Sequence, residues 1–133
     1  TPEQLSKAQK WTVTETQSAY FINRDGKFEK HVLPIEAQFA PVTNIIADDF
    51  DKDGKTDLLL LGNKSTNRLK LGNMDANYGC LLKGINNEFR YVNQKASGLS
   101  VTGDVKSAMP LRVNQQNYIV IGAFSQPLQF YKK

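Results

Sequence analysis

Asp49, Asp51, Asp53 and Asp57, with Gly54 set among them, are the residues of this chain best suited to do chemistry. Counted from Asp49, the carboxylates fall at loop positions one, three, five and nine, and the glycine at six. A carboxylate at every second residue, with a sharp turn at a glycine, gathers several hard oxygens around a single cation. Calcium takes about six to eight such oxygens at ~2.3–2.6 Å. Lys55, at position seven, brings no side-chain ligand but offers its backbone carbonyl. Asp48 adds a further negative charge, and its side chain should face away if that of Asp49 faces inward. Left without a cation, carboxylates this close repel one another, which predicts a strained or mobile loop.

The elements around the loop set it apart from an EF-hand. That motif needs a bidentate Glu at position twelve and a helix on each side. Position twelve here is Leu60, and the flanks are Thr43-Asn44-Ile45-Ile46-Ala47 before and Leu58-Leu59-Leu60-Leu61 after. Short apolar runs bounded by turn residues read as buried strands, so the expectation is strand, loop, strand. Zinc sites are built on Cys and His, and neither lies nearby. Magnesium uses the same oxygens but demands stricter octahedral geometry and keeps its waters. A plain solvated turn needs two or three Asp or Gly residues rather than an alternating row of four carboxylates. The metal is therefore read as one Ca2+ per chain, held by Asp49, Asp51, Asp53, the Lys55 carbonyl and Asp57.

The chain also repeats itself. One copy runs from Ala19-Tyr20-Phe21-Ile22 through Phe28 and the aspartate loop to Leu59-Leu60-Leu61-Gly62. The other runs from Gly79-Cys80-Leu81-Leu82 through Phe89 to Ile119-Val120-Ile121-Gly122. Phe28 and Phe89 are 61 residues apart, and Gly62 and Gly122 are 60 apart. In the second copy the stretch Leu111 to Tyr118 carries no carboxylate, and its Arg112 would compete with a cation. It is expected to form a hairpin turn only. Strands are predicted at Trp11–Thr16, Ala19–Asn23, Phe28–Leu33, Val42–Ala47, Thr56–Leu61 and Arg68–Leu71. Others are predicted at Gly79–Lys83, Phe89–Asn93, Val105–Ala108, Tyr118–Ile121 and Leu128–Tyr131. Polar turns at short intervals are the signature of an all-β chain. Thr1 to Lys10 is polar and is expected to form a single turn or to fray.

The loop and its two strands resemble the FG-GAP/VCBS repeat of integrin-like β-propellers, whose pattern is Asp-x-Asp-x-Asp-Gly-x-x-Asp followed by an apolar strand. Asp49, Asp51, Asp53, Gly54 and Asp57 match it, followed by Leu58 to Leu61 and Gly62-Asn63. Asn23-Arg24-Asp25-Gly26-Lys27-Phe28 is similar to the hairpin that usually precedes the loop in that family. Met74 to Gly79 and Pro127 to Tyr131 are similar to the C-terminal end of large secreted bacterial propeller proteins related to cartilage acidic protein. The resemblance implies about two four-stranded antiparallel β-propeller blades in an incomplete propeller. Residues 1–17 would be an N-terminal extension and 18–133 the repeat region, with repeat 1 at about 18–63 and repeat 2 at about 78–133. Propellers close with about four to eight blades, so completion by another chain or by the rest of a longer protein is expected. The last copy stops one strand short of four, and the hairpin Ala19 to Leu33 stands alone before the first full blade.

Composition narrows the function classes. A net charge of +4 comes from scattered lysines and arginines without a dense run, and no nucleic-acid motif accompanies them. Phe89-Arg90-Tyr91 could stack on bases, but in an alternating strand one face of such a triplet is usually core. No stretch is long and apolar enough for a membrane span, and none reads as a signal peptide. Beginning at Thr1 suits a processed or excised product. Cys80 stands alone, in an apolar run. His31 is the only histidine and sits in a predicted strand, and no serine lies in a nucleophile motif. The residues thus suggest a non-enzymatic extracellular, periplasmic or cell-surface module with a protein or glycan ligand. Its candidate contact surface is the connections Leu33–Val42 and Gln94–Asp104. The alternative is a fragment of a calcium-dependent polysaccharide lyase or hydrolase built on a propeller.

Overall fold

Three two-residue turns set the hairpins of this chain. Asp25-Gly26, Asn86-Asn87 and Asn114-Gln115 all have positive φ, from +47° to +84°. Positive φ at both central residues is the condition for a type I′ turn, whose twist matches that of the strands it joins. The computed structural model describes residues 6, 8–65, 70 and 72–133. The first turn joins β1 (Ala19–Arg24) to β2 (Lys27–Val32). The second joins β5 (Cys80–Ile85) to β6 (Glu88–Val92), and the third joins β7 (Val105–Val113) to β8 (Gln116–Ala123). The remaining strands are β3 (Val42–Asp48), β4 (Asp57–Gly62) and β9 (Gln129–Lys132). The fold is all-β and every strand pair is antiparallel.

Two units are distinct, Thr1–Val32 and Leu33–Lys133. The first holds the β1-β2 hairpin. Within it Tyr20 stacks on His31 with ring centroids 5.1 Å apart, Arg24 Nε pairs with Glu29 Oε2 at 3.0 Å, and Lys30 pairs with Glu15. The second unit holds a four-stranded sheet in the order β3-β4-β5-β6 and a three-stranded sheet β7-β8-β9. β3 and β4 belong to the first sequence copy and β5 and β6 to the second, so the larger sheet is assembled across the boundary between copies.

The leucine run Leu58 to Leu61 makes sense in this setting. β4 is interior to its sheet and is covered on both faces, leaving Leu59, Leu60 and Leu61 at most 1% exposed. Leu59 and Leu61 join Ile46, Val101, Val105, Ile119 and Ile121 in the core between the two sheets. Leu60 points the other way and pairs with Cys80 of β5. Burying a leucine side chain is worth about 1.5–3 kcal/mol, so this strand anchors the loop that precedes it. The sheets are also tied by Thr43 Oγ1, which donates to the Val105 carbonyl at 2.7 Å.

A buried amide pair secures the chain after β4. Asn63 Nδ2 donates to the carbonyls of Asn77 (2.7 Å) and Gly103 (3.2 Å), while the Asn77 N–H donates to Asn63 Oδ1 at 2.9 Å. Asn77 in turn donates through Nδ2 to the Leu60 carbonyl and accepts from the Gly79 N–H. Buried polar atoms must be satisfied or they destabilise, and this pair satisfies side chains and backbone together.

Several expectations are corrected. Trp11–Thr16 forms no strand; Trp11 is 84% and Val13 74% exposed, and β-branched residues without a neighbouring strand gain nothing from extension. The predicted strand Arg68–Leu71 lies, apart from Lys70, outside the described residues, as does most of Thr1–Lys10. β7 continues past Ala108 to Val113, through Pro110. Its place at the sheet edge allows this, because an edge strand can direct the position lacking an N–H away from its partner. The connections Leu33–Val42 and Gln94–Asp104 hold a 3-10 turn at Ile35–Gln38 and a short helix α1 at Gln94–Ser97. Asn93 caps α1 by accepting from the Ala96 N–H, and Gly98 ends it with a left-handed φ of +69°. No helix among the described residues is long and apolar enough to cross a membrane.

Cys80 is a core residue. It is 5% exposed, and burial, aided by the charge of Glu36, pushes its thiol up from 9.0 to about 12. Below pH 9 the neutral thiol suits the core. Between about 9 and 12 the unfolded chain releases a proton that the folded chain retains, so stability falls as pH rises. Native protein at pH 8 is expected to react with a thiol reagent at least about 100-fold more slowly than urea-unfolded protein, as the thiolate is the reacting species. Equal rates, followed by absorbance, would show an open Cys80.

Candidate metal centre

The aspartate loop connects the end of β3 to the start of β4, with Asp48 opposite Asp57 in the sheet register. The strand-loop-strand arrangement thus supplies a fixed base. Oxygens of Asp49, Asp51 and Asp57 lie within 4.8 Å of one another. Among the described residues this is the one cluster of three or more potential ligands. All three donors are carboxylates, a set suited to a hard cation rather than to zinc.

Backbone N–H groups hold the carboxylates in place. Asp49 accepts from the Asp53 N–H at 3.1 Å and, through its other oxygen, from the Gly54 N–H at 2.9 Å. Asp51 also accepts from the Asp53 N–H at 3.1 Å. Asp57 is only 2% exposed, and each of its oxygens takes one backbone donor: Phe50 N–H at 3.0 Å and Gly84 N–H at 2.9 Å. Each carboxylate oxygen has two lone pairs, so these bonds orient the groups without using up their capacity. The loop turns through Lys52 at φ +64° and Gly54 at φ +83°.

Asp53 behaves differently. It is outside the 4.8 Å cluster; its Oδ1 accepts from the Lys55 N–H at 2.9 Å, and its Oδ2 lies 3.2 Å from Lys83 Nζ and 4.0 Å from Lys55 Nζ. Lys55 is placed in the loop by its N–H bond to Asp53. Asp48 is not part of the cluster: its Oδ2 pairs with Lys133 Nζ at 2.6 Å, and its Oδ1 accepts from the Asp49 N–H. The Lys133 hydrogen bond holds the Asp48 carboxyl below its ordinary range, against the opposing effect of burial. Lys133 Nζ also sits 5.4 Å from the centre of the Phe50 ring.

Two residues of β5, which no sequence motif marks, also meet the loop. Lys83 Nζ contacts Asp51 Oδ2 as well as Asp53. This contact lowers the Asp51 carboxyl and raises the Lys83 ammonium. Gly84 supplies the donor to Asp57. A glycine inside a strand signals close approach by another backbone, but the predicted strand ended at Lys83, and only the observed β5, which runs on to Ile85, places Gly84 inside one. Its target was hidden, because β5 reaches the loop only through pairing with β4. The expected repulsion among carboxylates is thus offset by Lys83 and by backbone donors.

Beside the loop, a cavity of about 360 Å³ opens between the sheets. Its walls include Leu59, Leu81, Leu99, Ile119 and Tyr131, and Asp51, Asp57 and Lys83 reach its lining. The second-copy stretch Leu111 to Tyr118 is the β7-β8 hairpin with its Asn114-Gln115 turn. His31 lies on β2, stacked on Tyr20. In comparisons with known proteins, no family model, no curated protein and no solved structure matches this chain.

Proposed function

We propose that this chain is a calcium-binding segment of FG-GAP/VCBS type, made of β-propeller blades, that serves as a non-enzymatic binding or adhesion module outside the cytoplasm. The observation that carries the reading is the convergence of Asp49, Asp51 and Asp57 at the mouth of a rigid strand pair. Calcium, when bound, would supply the dication that offsets these charges. Asp53 would join them by turning its carboxylate inward, and Lys55 would add its carbonyl. The strand inventory supports the blade reading: a four-stranded meander, a three-stranded meander and a separate hairpin. Completion of the smaller sheet by another chain, or by the rest of a longer protein, fits that inventory. The connections carrying the 3-10 turn and α1 remain the candidate surface for a protein or glycan partner.

Thermal melting in calcium and in chelator tests the reading. A ligand at ~100 times its dissociation constant stabilises the fold that binds it by about 2.7 kcal/mol. Calcium should raise the midpoint of the native chain, magnesium should raise it less, and Asp49→Ala should abolish most of the response. Equal midpoints in calcium and chelator would remove the metal reading, and an equal shift with magnesium would change the metal.

A further inference from the structure

We propose that Lys83 is an internal counter-cation of the aspartate loop, and that a divalent ion binds by taking carboxylates away from it. The inference rests on the metal reading above and adds how that site is regulated. The geometry is specific. Lys83 reaches across from β5, a different strand from either flank of the loop, and its ammonium bridges Asp51 Oδ2 and Asp53 Oδ2. Asp53, the one aspartate expected as a ligand that stays outside the cluster, is one of the two that Lys83 holds.

The same contact does two things. It neutralises part of a dense group of negative charges. It also opposes metal binding, because a dication and an ammonium compete for the same oxygens and repel each other at short range. The neighbouring Gly84 is fixed by its bond to Asp57, so the backbone of β5 need not move. Only the lysine side chain, which is partly exposed, has to swing aside. Calcium affinity is therefore set below what the carboxylates alone would give.

The test is calcium titration by calorimetry on the whole chain. Removing one unit charge from beside a dication in a watery setting should strengthen binding roughly tenfold, so K83Q is expected to bind calcium about that much more tightly than the native chain. K83R keeps the charge and should remain closer to native than K83Q does. K83Q with unchanged or weaker affinity would overturn the inference while leaving the metal reading standing. A native chain that binds no calcium would remove both. A second measurement does not depend on the neutral variant folding. In protein carrying 15N-labelled lysine, the Lys83 ammonium resonance, identified by its loss in K83R, should shift when calcium saturates the site. A resonance that stays put through saturation would equally overturn the displacement.

Discussion

Asp57→Ala should destabilise the chain by about 3–5 kcal/mol even in chelator, and should also abolish calcium binding. The residue is nearly sealed from solvent, and its two oxygens separately satisfy the N–H groups of Phe50 and Gly84. Hydrogen bonds to a charged group are worth about 1.5–3 kcal/mol each, and a buried donor left without a partner carries its full desolvation cost. Some of the loss is returned, because removing one carboxylate relieves repulsion with Asp49 and Asp51. Asp57→Asn is not a mild change either. It keeps one acceptor oxygen but turns an amide N–H toward a backbone N–H, and a loss of about 2 kcal/mol is expected. Urea unfolding in chelator gives the difference directly, provided the slope is unchanged. Asp49→Ala is the comparison: it should lose the calcium response at a smaller cost in chelator. An Asp57→Ala chain as stable as native without calcium would show that Asp57 has no structural role.

The second large effect is expected from Gly84→Ala. A Cβ at this position would lie 2.2 Å from the Thr56 carbonyl oxygen. The obstacle is backbone at the loop exit, so relief requires β5 to move away from it. That movement stretches the 2.9 Å bond from the Gly84 N–H to Asp57. Overpacking of a tight contact costs about 1–3 kcal/mol and sometimes more, and the weakened Asp57 anchor places this variant near the top of that range. Calcium affinity should fall with it. Gly62→Ala separates the two consequences. Its Cβ would stand 1.7 Å from the Pro41 carbonyl oxygen, at the other end of β4 from the loop. It should cost as much stability while leaving the calcium affinity of the folded fraction near native. If both variants keep native affinity, Gly84 only fits the sheet and does not support Asp57.

The acidic loop was legible because its carboxylates are local: alternation and a glycine turn bring Asp49 and Asp51 together whatever the rest of the chain does, and Asp57 opens the strand that follows. The hairpins were legible for the same reason, since Asp25-Gly26 and the Asn-rich turns encode positive φ directly. Strand ends were less so. Pro110 reads as a break, and only its place on an edge strand makes it tolerable. Trp11–Thr16 reads as a strand, but extension needs a partner that sequence does not name.

What the sequence determined alone is the all-β class and the strand-loop-strand setting of the acidic loop, because each follows from periods of a few residues; which aspartates converge, with Asp53 left outside, was decided by the fold. Tertiary structure decided which strands share a sheet, and it joined halves of the two sequence copies in one meander. It also brought Lys83 and Gly84, 26 and 27 residues beyond Asp57, against the loop. Their roles depend on the pairing of β4 with β5, a long-range contact fixed by burial of the leucine run between two sheets. Charge compensation and the anchoring of Asp57 therefore had no local signal to read.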